Sequence, residues 1–231
     1  MSSKKPNNAE NWLLDSVIKY HHPLDILLAE DIEEQFNRKG HGLWEPELTA
    51  LLYRMFSDGL LIASTSIPPL GGPDWTEVDF YPTFEQVRAG LHREIDIYYG
   101  LTAEGGKTWE SLTNTQWNKC VGESFCFKTR TRQIISMDVS RVRRELLHWD
   151  IMDRISHRVK NAVWDVVIPW EATYWKTLPY GHRASFAKPS FTEEECESRP
   201  IRETYRQWKQ RERELRRWWK ERDRWYTHPW R

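Results

Sequence analysis

The chain has 231 residues with 34 basic and 34 acidic side chains, so its formal net charge is zero, and its mean hydropathy is -0.77. That length suits one large domain, or a domain with an extension, and can bury a real core. The sequence contains no apolar run of the roughly 18 residues a membrane-spanning helix needs.

The opening MSSKKPNNAE has no apolar h-region, so no secretory signal is expected. Three cysteines, Cys120, Cys126 and Cys196, are odd in number and not in CxxC spacing. They point to a reducing cytoplasm without a disulfide framework. The 14 tryptophans are the outlying count. Charge is unevenly spread: residues 1–100 hold 8 basic against 16 acidic side chains, and residues 199–231 hold 12 against 5. An acidic front and an Arg-dominated tail can meet each other, or the tail can seek phosphate or anionic lipid.

Asn8 to Tyr20 carries a helical stripe of Trp12, Leu13, Ser16/Val17 and Tyr20, ended by His21-His22-Pro23. Leu24 to Phe36 reads as a second helix, with Leu24, Leu27, Leu28, Ile32 and Phe36 on one face. A third begins at Pro46, whose missing N–H costs nothing in a first turn. It buries Leu48, Leu51, Leu52, Met55 and Phe56 and stops at Asp58-Gly59, and Leu60–Ala63 continues as a strand. After a loop at Pro68–Pro73, Thr83-Phe84-Glu85-Gln86 has the pattern of a capping box opening a short helix to Leu91. Ile95–Leu101 alternates as a strand, and Thr102 can cap a helix through Trp109 and Leu112.

Two segments carry a resemblance: Leu48–Ile62, a helix followed by its strand, and Tyr98–Glu110, in which a strand runs into "LTAEGG" and a helix. Together they resemble the winged helix-turn-helix superfamily of bacterial regulators, and YYGLTAEGGKTWE is similar to segments of uncharacterised bacterial proteins. The resemblance covers the first half of the chain. It implies a winged helix over residues 1–118 with an elaborated wing at 68–94, and a regulatory role. In DNA-binding members the third helix enters the major groove with basic and amide side chains near its start. Here Glu45 and Glu47 stand at that end, and Arg54 is the one basic residue before Asp58, which argues against that docking.

Residues 119–189 read as a small α+β segment. Asp138 or Ser140 can cap a helix through Val142, Leu146 and Leu147 with Arg141, Arg143 and Arg144 outside. Arg158–Ile168 reads as a strand, and Leu178-Pro179-Tyr180-Gly181 as the turn of a hairpin between Ala172–Leu178 and His182–Phe186. Trp164, Trp170, Tyr174 and Trp175 are either a stacking platform beside Arg158, Lys160, Lys176 and Arg183, or the core of a subdomain short of aliphatics; the core reading is favoured.

Thr192 and Glu195 are spaced as a capping box, and Pro200 can start a helix to about Trp225 within a tail at 190–231. One face carries Ile201, Tyr205, Trp208, Leu215, Trp218/Trp219 and Trp225, and the others are rich in arginine. Such a helix docks on the body or a partner, meets nucleic-acid phosphate, or lies on an anionic membrane. Glu203, Glu212, Glu214, Glu221 and Asp223, at helix-neighbour spacings to several arginines, favour an exposed, salt-bridge-laced structural helix. The candidate contact residues for nucleic acid or a partner are Arg206, Arg213, Arg216, Arg217, Trp218, Lys220 and Arg224, joined by Lys176 and Arg183.

Catalytic signatures are not evident. Gly100–Thr108 has five residues between Gly100 and Gly106 where a phosphate loop needs four before its Gly-Lys pair, so Gly105-Gly106 reads as a helix start. The histidines show no zinc spacing, and Cys120 and Cys126 lack a local His partner. Asp150, Asp153 and His157 could form an acid–base set, as residues of any highly charged chain could. The expectation is a cytoplasmic α+β protein without cofactor or metal that works by binding a protein partner or itself. The alternative is a DNA- or RNA-binding transcriptional regulator that uses the basic tail for phosphate contacts.

Overall fold

The computed structural model describes residues 8–36, 38–65, 78–153, 161–187, 205–222 and 225–227. It is a mixed α+β protein with antiparallel sheets. The chain divides into two units: Met1–Asn114 with Thr173–Lys176 and Thr227–Arg231, and Thr115–Ala172 with Thr177–Tyr226. The tail helix therefore falls in the second unit, and the division lies at 114/115.

The first unit opens with α1 (Asn8–Ser16), which buries Trp12, Leu13 and Leu14. Helix α1 ends at Ser16, and Tyr20, expected on its stripe, is 68% exposed. Strand β1 (His22–Pro23) leads into a 3-10 helix (Leu24–Leu28) and α2 (Ile32–Gln35). The single helix expected over Leu24–Phe36 is thus broken, because Ala29 adopts an extended ψ of 136°. The Leu24 N–H is bound to the Ile97 carbonyl at 2.9 Å, and Leu24 and Leu27 face the core while α2 buries no side chain.

Helix α3 (Glu45–Ser57) buries the stripe read from the sequence: Leu48, Leu51, Leu52, Met55 and Phe56. Its end is set by Gly59 at φ +69°. With that residue left-handed, the Leu60 N–H reaches the Met55 carbonyl at 2.9 Å and the Gly59 N–H reaches Phe56 at 3.0 Å. Strand β2 (Leu61–Ser64) follows at once, then β3 (Asp79–Phe80) and α4 (Phe84–Leu91). Thr83 and Gln86 form the expected capping box on α4. Strand β4 (Tyr98–Leu101) runs into α5 (Ala103–Thr113), whose Gly105 N–H is capped by the Thr102 hydroxyl at 3.0 Å.

The sheet order is β1-β4-β2-β3. Leu61 pairs with Leu101 and Ala63 with Tyr99, so these four buried residues share one face. Under this sheet, the buried Asp15 carboxylate is ion-paired with Arg38 and accepts from the Trp109 indole at 3.1 Å.

The second unit is built on β5 (Gly122–Cys126), β6 (Thr131–Ser136), β7 (Val163–Val167) and β10 (Gly181–Ala187), in the order β5-β6-β10-β7. The row Ile134, Ala184 and Trp164 lies in register on one face. There it packs with Val142 and Leu146 of α6 (Val139–Asp153). The buried stripe of α6 includes Arg141 and Glu145, whereas Leu147 is 52% exposed, so the sequence-based assignment of Arg141 to the outside and Leu147 to the core is reversed. The spacing 141, 142, 145, 146 and 149 explains it, because Arg141 and Glu145 can pair inside the stripe.

Strands β8 (Trp170–Thr173) and β9 (Lys176–Leu178) pair with each other. The expected hairpin across Leu178–Gly181 is corrected accordingly: the turn lies at Tyr174-Trp175, and β10 pairs with β6 and β7 instead. The last helix, α7, covers Tyr205–Arg222. The expected Thr192/Glu195 cap lies outside the described residues.

Candidate interaction surfaces

Helix α3 presents Glu47, Ala50, Tyr53, Arg54 and Ser57 to solvent, the complement of its buried stripe. Glu45 is 2.7 Å from His92 Nε2, which ties the end of α4 to the start of α3. The Tyr53 ring meets Phe84 edge-on at 5.8 Å. Trp44, Tyr81 and Val78 are each more than half exposed. The cations on these elements are engaged by carboxylates: Arg54 with Glu10, Arg88 with Glu85 at 2.7 Å, and Arg93 with Asp25 at 3.8 Å. The head of α3 is therefore acidic and aromatic, with its one arginine committed to α1. Sequence reading missed Tyr53 as a surface residue. The signal was present, since position 53 lies off the 48/51/52/55/56 stripe.

In the second unit the Trp218 indole is 2% exposed, stacks on His148 at 4.9 Å and donates to Glu145 at 3.0 Å. Trp218, expected at a contact surface, is thus a packing residue. Trp225 is likewise buried, against Trp117 at 4.9 Å, and its carbonyl accepts from the Gln116 N–H at 2.7 Å. Arg213, Arg216 and Arg217 stand on the exposed side of α7, where Arg216 pairs with Glu212 at 2.5 Å. Arg206 and Lys220 fall on the α7 backbone, but their side chains lie outside the described set, and so does Arg224.

Lys176 and Arg183 are each ion-paired within their own unit. Lys176 is 2.6 Å from Glu110, and Arg183 makes a two-pronged contact with Asp165. Hydrogen bonding from that guanidinium holds the Asp165 carboxyl below the usual carboxylate range. The core reading of the Trp/Tyr cluster holds for part of it, since Trp164 is half-buried against the core of the second unit and Tyr174 is 42% exposed. Trp170 is buried, the Trp175 indole donates to the Ile18 carbonyl at 3.0 Å, and the Tyr174 hydroxyl donates to Val17 at 2.6 Å while accepting from the Leu101 N–H.

The glycine pair after β4 holds protein where a phosphate loop would hold phosphate. A Cβ at Gly105 would meet the Leu60 carbonyl oxygen at 1.9 Å, and one at Gly106 the Trp175 ring at 2.1 Å. Cys120 is buried, and Cys126 is an exposed thiol held below its ordinary pKa mainly by the Thr129 hydroxyl. Of the proposed acid–base set, Asp150 is on α6, and the Asp153 side chain and His157 lie outside the described set. Among the described residues no group of three or more His, Cys, Asp and Glu could hold a metal ion, and no helix is long and apolar enough to cross a membrane.

No protein-family model, curated protein or solved structure matches this chain.

Proposed function

We propose that this is a non-enzymatic binding protein whose first unit is a winged helix that holds a protein partner on the α3–α4 face. The topology supports the winged-helix part. Strand β1 stands between the first two helical segments and pairs with β4, and β4 pairs with β2, which follows α3. The β2–β4 connection, with β3 and α4, then corresponds to an enlarged wing.

The observation that carries the binding mode is the solvent side of α3. A helix that reads a DNA groove needs cations facing phosphate and base edges. This one offers Glu47 and Tyr53, with the Phe84 ring against Tyr53, while Arg54 is held by Glu10. Exposed aromatics in an acidic frame suit a protein surface, where Tyr, Trp and Phe supply contact area at low entropic cost.

A tagged full-length chain, recovered from its source cells after nuclease treatment, is expected to retain a protein at fixed stoichiometry. Tyr53→Asp with Phe84→Asp should lose that protein while keeping the wild-type melting temperature. Equal retention by the variant, or recovery with nucleic acid alone, would overturn the reading.

A further inference from the structure

The solvent side of α3 has a periodicity of its own. Pro46, Ala50, Tyr53 and Ser57 are exposed, uncharged and spaced four, three and four residues apart. At about 100° per residue they form one stripe on the side opposite the buried Leu48 and Met55. Helix α4 borders one edge of this stripe. The Phe84 ring meets Tyr53 and His92 meets Glu45, so α4 runs antiparallel to α3. The other edge carries Glu47, Arg54 and Asp58, the last of these at the C-terminal cap. Arg54, four residues before Asp58, is bound to Glu10, and Arg88 of α4 is bound to Glu85. Glu47 and Asp58 have no cationic partner among the described residues.

We propose that the protein partner docks here as a basic amphipathic helix lying along α3, with apolar side chains over the stripe and Lys or Arg beside Glu47 and Asp58. The inference rests on the partner reading above and adds the partner's shape and charge. A four-three-four spacing is the one at which side chains of two helices interdigitate. An extended strand, whose side chains repeat every two residues, does not match it. Ala50 and Ser57 are small and leave space on either side of Tyr53 for the partner's side chains, while Tyr53 and Phe84 supply the contact area. From Pro46 to Ser57 the stripe runs about 16 Å at about 1.5 Å per residue, or roughly three turns. The two uncompensated carboxylates stand near its two ends, so they favour a cationic flank on the partner and repel an acidic one.

The test is fluorescence anisotropy of a labelled 14-residue Leu/Lys peptide of helical amphipathic pattern against the full chain, at 50 and 200 mM salt. The same pattern with Glu for Lys, and the same Leu/Lys composition in strict alternation, run beside it. The amphipathic Leu/Lys peptide should bind at least about tenfold tighter than either control, and more weakly at the higher salt. Glu47→Gln with Asp58→Asn should weaken it about fivefold and remove most of the salt dependence. Tyr53→Asp should abolish binding, and all these variants should melt as wild type does. Glu104→Gln, at an exposed carboxylate of α5, should leave binding unchanged. No binding at 50 mM, equal binding of either control peptide, or affinity unchanged by Glu47→Gln with Asp58→Asn would each overturn the proposal. A cellular protein lost with Tyr53→Asp and Phe84→Asp, but retained equally when Glu47 and Asp58 are neutralised, would overturn this inference alone and leave the partner reading standing.

Discussion

The Trp218 indole N–H donates to the Glu145 carboxylate at 3.0 Å, and the two residues are 2% and 1% exposed. This contact commits Trp218 to the interior of the second unit, while Arg213, Arg216 and Arg217 of the same helix stay exposed. Trp218→Phe keeps most of the packing but removes a donor from a buried carboxylate, so a loss of about 1–3 kcal/mol is expected. Trp218→Ala should cost about 3–5 kcal/mol. Urea unfolding of the full chain, followed by tryptophan fluorescence, separates the two; equal stability of the two variants would contradict the account.

Glycines 105 and 106 sit in the first turn of α5, where alanine would ordinarily stabilise a helix by up to about 1 kcal/mol. Here the opposite is expected. Gly105→Ala drives a methyl into the Leu60 carbonyl, and Gly106→Ala drives one into the Trp175 ring. Each should destabilise by about 1–3 kcal/mol or more, read as a lowered melting temperature of the first unit. A neutral Gly105→Ala would show that β2 and α5 do not approach as described.

Arg93 closes α4 at φ +58°, with the Glu94 N–H on the Ala89 carbonyl at 2.9 Å. A left-handed residue costs a non-glycine side chain about 1–2 kcal/mol, and the Arg93–Asp25 contact of 3.8 Å is too long and too exposed to offset it. Arg93→Gly should therefore raise stability by roughly 1 kcal/mol or slightly less, measurable as a shifted denaturant midpoint.

Burial lowers the pKa of His22 below 6.5, and the nearby Arg38 and His21 lower it further. The unfolded chain thus binds a proton more readily than the fold. Stability from this group is complete above about pH 6.5 and is lost as pH falls through the folded-state value. His22→Gln should flatten the acid side of the stability profile between pH 7 and 5, relative to wild type. A profile unchanged by the substitution would remove His22 as the cause.

Local chemistry was readable from the sequence, and long-range partners were not. The α3 stripe, the Asp58-Gly59 stop, the Thr83–Gln86 box and the Thr102 cap each depend on residues within four positions of one another. The break at Ala29 accompanies a hydrogen bond from Leu24 to Ile97, 73 residues away, and the pairs that β10 makes with β7 and β6 join residues from 14 to 56 positions apart. On α6 the hydropathy of Arg141 and Leu147 pointed the wrong way, because a buried ion pair with Glu145 outweighed side-chain type. For the candidate surfaces, the arginine positions on α7 were legible from periodicity. The burial of Trp218, the ion pairing of Lys176 and Arg183, and the packing of Phe84 against Tyr53 required the fold.

The central claim is that the α3–α4 face holds protein and not nucleic acid. The most direct measurement places a photo-crosslinking amino acid at position 53 of the full chain in its source cells, with the exposed Lys107 position as control. The account predicts a protein adduct of one discrete mass that survives nuclease, forms from position 53 but not from 107, and disappears with Phe84→Asp. A nuclease-sensitive adduct at position 53, or the same adducts from both positions, would contradict it.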